Sequence, residues 1–313
     1  MLEFDTYCNI SIEKLKDIIT IIFVTIDDLY KKVAPDKVKY RLHKEKAIMS
    51  DSEIITIGVI GELLGIDSEK AWLSFVSKNL NDLFPRICER SRFNRTRRNL
   101  LSVIDAIRFE LNLSIPDFSK ELRIVDSFPL PVCKFGRARF CKSFRGNGAN
   151  YGVCPSKKET YYGYKVHALC AKNGFITDFT ITPASVDDRT VVWELVEQYK
   201  RHLFLIGDKG YISPALALEL HREKNIDLIY MKKNNDKNQY PKTFRQLIFK
   251  IRRRIETSFS QLSEQFNIEV VKARSFWGLN LRLQTKILAF NICFFINQFL
   301  GLENFSKLKS LVF

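Results

Sequence analysis

Three carboxylates in this 313-residue chain stand out for the segments that carry them: Asp126 in RIVDS, Asp208 in LFLIGDKGY and Glu256 in RRRIETSFSQL. Brought together, they would present hard anionic oxygens. Such oxygens hold divalent cations of the magnesium type while leaving positions open for water and a phosphate oxygen. The chemistry within reach would then be cleavage or transfer of a phosphodiester. Taken singly, each residue has a plainer explanation. An Asp at a strand end commonly accepts local backbone hydrogen bonds, and Glu256 stands one turn after Arg252, where the two would pair on a solvated helix face. The metal reading therefore depends on the elements that carry the three residues.

The pattern from Arg123 onward supplies such elements. Arg123 to Val132 reads as a short strand ended by two prolines. Gly163 to Cys170 and Phe175 to Thr182 each alternate, and Asn173-Gly174 between them is a strong hairpin signal. Ser185 and Asp188 predict a capping-box start for a helix through about Lys200, with Val191, Val192, Leu195, Val196 and Tyr199 as its apolar stripe. Leu203 to Ile206 reads as a strand ending in Gly207-Asp208-Lys209-Gly210. Ser213 and Pro214 then open a helix to about Lys224, and Ile226 to Met231 makes another strand. Ile248, Ile251, Ile255, Phe259, Leu262 and Phe266 recur at helical spacing in the segment that follows.

Strand, hairpin, helix, strand, helix, strand, helix is the order of an RNase H-like fold, whose first strand lies parallel to the strand after its first helix. Asp126 and Asp208 would then meet at neighbouring carboxyl ends, where open α/β sheets usually place their sites. Glu256, at the flank of the apolar stripe, would face the same sheet edge.

From Ile10 to about Ile115 the pattern is helical, with turn signals at Pro35, Gly65-Ile66-Asp67 and Pro85. Ser50 and Glu53 predict a capping box opening a helix to about Leu64, and Ser68 caps a second. Two helices joined at Gly65 resemble a helix-turn-helix, but any helix hairpin gives the same pattern, and the ordinary hairpin is the preferred reading. The expected architecture is α/β: an RNase H-like mixed sheet with flanking helices and C-terminal helices over residues 116–300. An all-helical N-terminal domain for DNA binding or subunit contact precedes it at 1–115, and a tail follows at 301–313.

Composition narrows the partner. Fifty Lys and Arg against 35 Asp and Glu leave a formal charge of +15, which favours a polyanion and by itself does not separate nucleic acid from an anionic membrane. The apolar run Ile18 to Ile26 lacks the basic flank of a signal peptide, and Ile287 to Leu302 is interrupted by Asn291, Asn297 and Gln298. Both predict buried helices, hence no membrane partner and a cytoplasmic setting. Seven cysteines without a Cys-x-x-Cys pair agree with reduced thiols, and Cys133, Cys141, Cys154 and His167 lack the spacing of common zinc sites.

Candidate DNA contacts fall in three basic stretches. One is the cluster Arg86, Arg90, Arg92, Arg95, Arg97 and Arg98. The second is the glycine-rich loop Pro131 to Lys158, with Lys134, Arg137, Arg139, Lys142 and Arg145. The third is Lys232 to Arg254, with Arg252 and Arg253; Lys165 and Lys209 add to them. Phe140, Phe144, Tyr151, Tyr161 and Tyr162 near the loop would offer stacking surfaces for unpaired bases. His167 and Asp188 are candidates to stand behind the metal ligands, whereas Asp187 reads as a helix-start acid meeting the backbone dipole.

RIVDS, YGYKVHALC with the following NGFITDFTITPASVDDR, LFLIGDKGY and RRRIETSFSQL together resemble DDE insertion-sequence transposases, most of all those of the insertion sequence 982 family. The resemblance covers roughly Arg123 to Asn297, and more loosely SDSEIITIGVIGELLGI at Ser50 to Ile66. It implies an RNase H-like catalytic domain, metal-dependent cleavage at transposon ends, and attack of the released 3′-hydroxyl on target DNA. Asp126, Asp208 and Glu256 would be the metal ligands. Two Mg²⁺ ions are expected, with Mn²⁺ as a substitute, and the partners would be terminal inverted repeats and target DNA. A homodimer is expected because pairing two ends requires at least two protomers. Arg252 matches the Arg of the Tyr, Arg, Glu and Lys set found in the wider group related to the insertion sequence 4 family, but Phe249 and Ser263 stand at its Tyr and Lys positions. Two rival readings remain: a non-catalytic DNA-binding protein, which loss of one carboxylate would have favoured, and a stand-alone nuclease using the same metal site.

Overall fold

Alternating side chains on an extended backbone point to opposite faces, so a strand between two packed layers must serve both. The first strand of the computed structural model does this. The structure describes residues 11–155 and 158–301; Cys8 and nearly all of the expected 301–313 tail lie outside them. In β1 (Leu122–Pro131), Val125 joins the core formed with α7 (Asp188–Val196) and α8 (Pro214–Lys224). Phe128 instead meets Phe259 of α9 (Lys242–Phe266) edge-on, ring centroids 4.8 Å apart.

Around β1 the described residues form a six-stranded sheet. β3 (Glu159–Ala171) pairs with β1 antiparallel, and β2 (Asn150–Cys154) and β4 (Ile176–Pro183) both pair antiparallel with β3. On the other side, β5 (Leu203–Gly207) runs parallel to β1 and β6 (Ile226–Tyr230) parallel to β5. Leaving aside the short β2, three antiparallel strands (β1, β3, β4) followed by two parallel ones, each of the latter reached through a helix, is the RNase H-like order.

β1 matches the expected Arg123 to Val132 strand to within a residue at each end, and Pro129 and Pro131 are tolerated in it because β5 pairs only as far as Ile124 and leaves that edge without a ladder to break. Several local details differ from the sequence expectation for physical reasons. The basic loop contains β2 and two 3₁₀ turns, Phe135–Phe140 and Arg145–Asn147. Gly152 in β2 is required: a Cβ there would lie 2.7 Å from the Cβ of Ala184. The helix after β4 is capped by Asp187, whose carboxylate accepts from the Arg189 N–H at 2.9 Å, while Ser185 accepts from Asn150.

The chain divides into two compact units, one comprising Pro116–Phe276. The other is helical. It contains α1 (Ile12–Val33), α2 (Asp36–Lys39), α3 (Asp51–Leu63), α4 (Glu69–Asn79), α5 (Arg90–Asn99), α6 (Leu101–Leu113) and, from Trp277, α10 (Phe276–Phe299). The Ser50–Glu53 capping box forms and Ser68 caps α4. α10 is long and apolar enough to cross a membrane by length and composition, yet most of it is buried. Its Asn291 is buried against Asn112 of α6 at 2.8 Å. The sequence reading grouped this helix with the catalytic segment; the structure counts it with the N-terminal helices.

Candidate active site

The parallel pairing of β1 with β5 sets the level of two carboxylates. Ile124 pairs with Ile206. Asp126 and Asp208 each follow two residues later, so both stand at the same height beyond the last rung of the ladder. Asp126 Oδ1 accepts from the Ser127 N–H at 2.8 Å, and Oδ2 is 3.5 Å from Arg252 Nη2. Asp208 Oδ1 accepts from the Gly210 N–H at 2.8 Å, closing the 3₁₀ turn Lys209–Tyr211. Burial, reinforced by the negative charge of Asp208, pushes the Asp126 carboxyl up to about 6, against the opposing pull of the Ser127 N–H and Arg252.

Glu256 comes from α9, which packs against β1 and β5. Ser258, part of the buried stripe with Ile248, Ile255, Leu262 and Phe266, donates to the Gly174 carbonyl at 2.6 Å and fixes the rotation of the helix. Glu256 is half-exposed. Its Oε1 accepts from Arg252 Nη2 at 2.9 Å, so one guanidinium joins Glu256 to Asp126. The Arg252 Nε is buried without a partner.

A fourth carboxylate adjoins these. Asp188 Oδ1 accepts from Lys165 Nζ at 2.8 Å and from the Ser127 hydroxyl at 3.2 Å. A Cβ on Gly210 would lie 2.9 Å from Asp208 Oδ1 and 3.8 Å from Asp188 Oδ2, so the two carboxylates flank the same small gap. His167 is buried, with Nε2 against Thr182 Oγ1 at 2.8 Å and Nδ1 3.4 Å from Asp188, outside hydrogen-bond geometry. Burial pulls its imidazole down to about 4, with Asp188 opposing and Lys165 assisting, so the ring is neutral at physiological pH. Beneath lies Tyr211, whose buried hydroxyl has no partner and whose phenol is held well above its ordinary range by burial and by Asp188, Asp126 and Asp208. Tyr211 and Ser127 escaped the sequence reading, although each neighbours a singled-out Asp in GDKGY and VDS.

Hard oxygen donors with surplus negative charge suit divalent cations of the magnesium type. Among the described residues no three of these groups converge closely enough to enclose a cation, and the Arg252 guanidinium spans Asp126 and Glu256. The donor chemistry fits; the coordination sphere is not assembled.

The basic candidates separate by exposure. Arg95, Lys134, Arg137, Arg139, Lys142, Arg145, Lys209 and Arg253 are exposed, and Arg98 is intermediate. Arg97 is not a surface cation. It is buried over the Phe93 ring, donates to Thr285 Oγ1 at 3.3 Å and lies 3.8 Å from Glu69. Lys165 is turned onto Asp188 and the Val186 carbonyl. Among the aromatics, Phe140 and Tyr151 are exposed, but Phe144, Tyr161 and Tyr162 are buried packing residues.

Sheet order and strand directions thus place this protein among RNase H-like folds. Residues 117–292, more than half of the chain, match the family described as Transposase DDE domain, and the chain belongs to that family. No curated protein matches it. Among solved structures, a cryo-EM structure of a piggyBac transposase synaptic complex with hairpin DNA is similar at 13% identity and a TM-score of 0.45, over 94% of this chain and 76% of that one.

Proposed function

We propose that the protein binds the terminal inverted repeats of its own mobile element, cleaves phosphodiester bonds there and joins the freed 3′-hydroxyl ends to target DNA. The observation that carries this reading is the equal height of Asp126 and Asp208 on adjoining parallel strands, with Glu256 tied to Asp126 through Arg252. Asp126, Asp208 and Glu256 would hold two Mg²⁺ ions, or Mn²⁺ in their place, which when bound supply an activated oxygen nucleophile and neutralise charge on the leaving oxygen.

The chain's other groups prepare that site. Lys165 and Ser127 fix one oxygen of Asp188, leaving the other beside Asp208. Neutral His167 packs 3.4 Å from Asp188 without adding charge, and buried Tyr211 excludes water beside the aspartates. Arg252 balances the carboxylates, and Asp126 or Glu256 would have to leave it in order to hold a cation. Lys134, Arg137, Arg139, Lys142, Arg145, Lys209 and Arg253 track DNA phosphates, with Arg95 and Arg98 on the helical unit. Phe140 and Tyr151 offer stacking faces. Helical region 1–115 serves DNA binding or subunit contact, two protomers pair the two ends, and the reaction takes place in the cytoplasm. Within transposases, the motifs around Asp126, Asp208 and Glu256 favour the insertion sequence 982 type.

Incubating the purified protein and Mg²⁺ with labelled duplexes taken from the DNA flanking its coding sequence tests the proposal. Nicks at element ends and joined products are expected. Folded protein that binds these ends yet makes neither product with Mg²⁺ or Mn²⁺ would overturn it.

A further inference from the structure

Between α1 and α3 the chain makes a short, strongly basic crossing that the site above does not use. Lys37, Lys39, Arg41, Lys44 and Lys46 fall within ten residues, with Glu45 as the acid among them. Asp51, buried in the first turn of α3, anchors the crossing from inside. Its two oxygens accept from Arg41 Nη1 and Nη2, each at 2.6 Å, and from the Tyr30 hydroxyl at 2.6 Å, while Lys44 Nζ lies 3.5 Å away and donates to Tyr30 at 2.9 Å. A bidentate guanidinium on a buried carboxylate fixes direction as well as position.

Fixing Arg41 inward forces its two neighbours outward. Tyr40 is 80% exposed and Leu42 85%, among the most exposed large apolar side chains described, and they hang on an anchored backbone rather than a loose one. Beside them opens a concavity of about 590 Å³ whose charged lining is Lys39, Arg41, Lys44 and Glu45. Lys37 and Lys46, before and after them in the chain, are exposed.

We infer that this crossing is a duplex-DNA contact surface, with Lys37 and Lys46 on phosphates and Tyr40 and Leu42 packed against sugars in the minor groove. The inference rests on the transposase reading above and gives the helical unit a specific contact. Charge complementarity selects the occupant: with Lys37 and Lys46 exposed around the two apolar side chains, the face matches the phosphates of a polyanion. Apolar side chains projecting from a basic surface are also the means by which minor-groove binders grip DNA.

Affinity for a labelled duplex, measured against salt concentration with the full chain, tests the inference on folded variants. Lys37→Glu/Lys46→Glu should weaken binding at least about tenfold and flatten the salt slope by roughly two. Tyr40→Ser/Leu42→Ser should weaken it on the order of tenfold while leaving the slope unchanged. Lys78→Glu, an exposed charge reversal elsewhere on the unit, controls for net charge and should stay within about threefold. Wild-type affinity in both double variants, beside steep salt dependence in the parent, would overturn this surface and leave the transposase reading standing. So would a Tyr40→Ser/Leu42→Ser protein that loses dimer by light scattering, or loses binding to phosphatidylserine vesicles, with duplex affinity unchanged. A parent that binds no duplex at any salt concentration overturns the transposase reading and this surface with it.

Discussion

Two clusters of charge, one in each unit, show opposite accounting. In the helical unit, buried Glu62 accepts from Lys286 at 2.5 Å and lies 3.1 Å from Arg282, with Asp67, Glu69 and Arg97 alongside. Three carboxylates meet three cations. Burial alone would push the Glu62 carboxyl up, but Lys286 and Arg282 hold it below its ordinary range. At the sheet edge, Asp126, Asp188, Asp208 and Glu256 form ion pairs with Lys and Arg only through Arg252 and Lys165 among the described residues, and Asp126 is pushed up to about 6. The first cluster is complete in itself and holds helices together. The second keeps a negative surplus in a partly desolvated place, which costs stability unless a cation from outside joins it.

The largest effect should come from Asp208→Asn, which preserves shape while replacing an anionic oxygen by a neutral amide. Cleavage and strand transfer should both fall by several orders of magnitude in a folded protein that still binds element ends. Asp126→Asn and Glu256→Gln should match it. Near-normal metal-dependent cleavage by Asp208→Asn would falsify the assignment and erase the contrast between the two clusters. Glu62→Gln breaks the other cluster and should act on stability instead. It takes the Glu62 charge away from buried Lys286 while Arg282 keeps Asp67 at 3.6 Å, at a cost of about 3–5 kcal/mol in denaturant unfolding.

A smaller effect sharpens the comparison by sign. Asp126 in the folded protein titrates near 6, above the ordinary value near 3.8, so between those limits the folded state holds a proton that the unfolded chain has released. Raising pH through about 4 to 6 in metal-free buffer should therefore remove stability, on the order of 3 kcal/mol, and Asp126→Asn should lose that component. Glu62, depressed by its partners, contributes the reverse: stability present above the ordinary glutamate range and lost as pH falls below it. Subtracting each variant's stability curve from the parent's gives the two slopes, and equal signs would undo the distinction.

Much of the scaffold was legible because it follows local rules. Val125 and Phe128 alternate, Asn173-Gly174 turns with Gly174 at φ 114°, and the stripe through Ile248, Ile255 and Phe266 sets the face of α9. What escaped depends on partners far away in sequence. β2 carries little apolar alternation and forms because β3 pairs with it, while Gly152 yields room to Ala184. Arg97 lies in a run of arginines that resembles a surface stripe, yet Phe93, Glu69 and Thr285 enclose it. For the candidate site, the elements bearing Asp126, Asp208 and Glu256 could be read from pattern. The bridging role of Arg252 and the crowding of Tyr211 by three aspartates required three dimensions.

Adjacent residues Asp187 and Asp188 offer the finest test, because the same atoms are removed one position apart. Asp187 faces solvent: it pairs with Arg189 at 2.6 Å, both side chains 46% exposed, and caps the first turn of α7. Asparagine caps about as well as aspartate, and an exposed ion pair contributes only about 0.2–1 kcal/mol. Asp187→Asn should therefore leave cleavage within about twofold of the parent and shift unfolding by less than about 1 kcal/mol. Asp188→Asn instead alters the acceptor shared by Lys165 and Ser127 and removes a charge beside Asp208. Loss of a group that orients metal ligands typically costs about 10- to 100-fold in metal affinity or activity, so the metal concentration for half-maximal cleavage should rise for Asp188→Asn alone. Parallel metal titrations of the two variants would decide the matter. If both titrate like the parent, the surplus charge at the sheet edge extends no further than Asp126, Asp208 and Glu256.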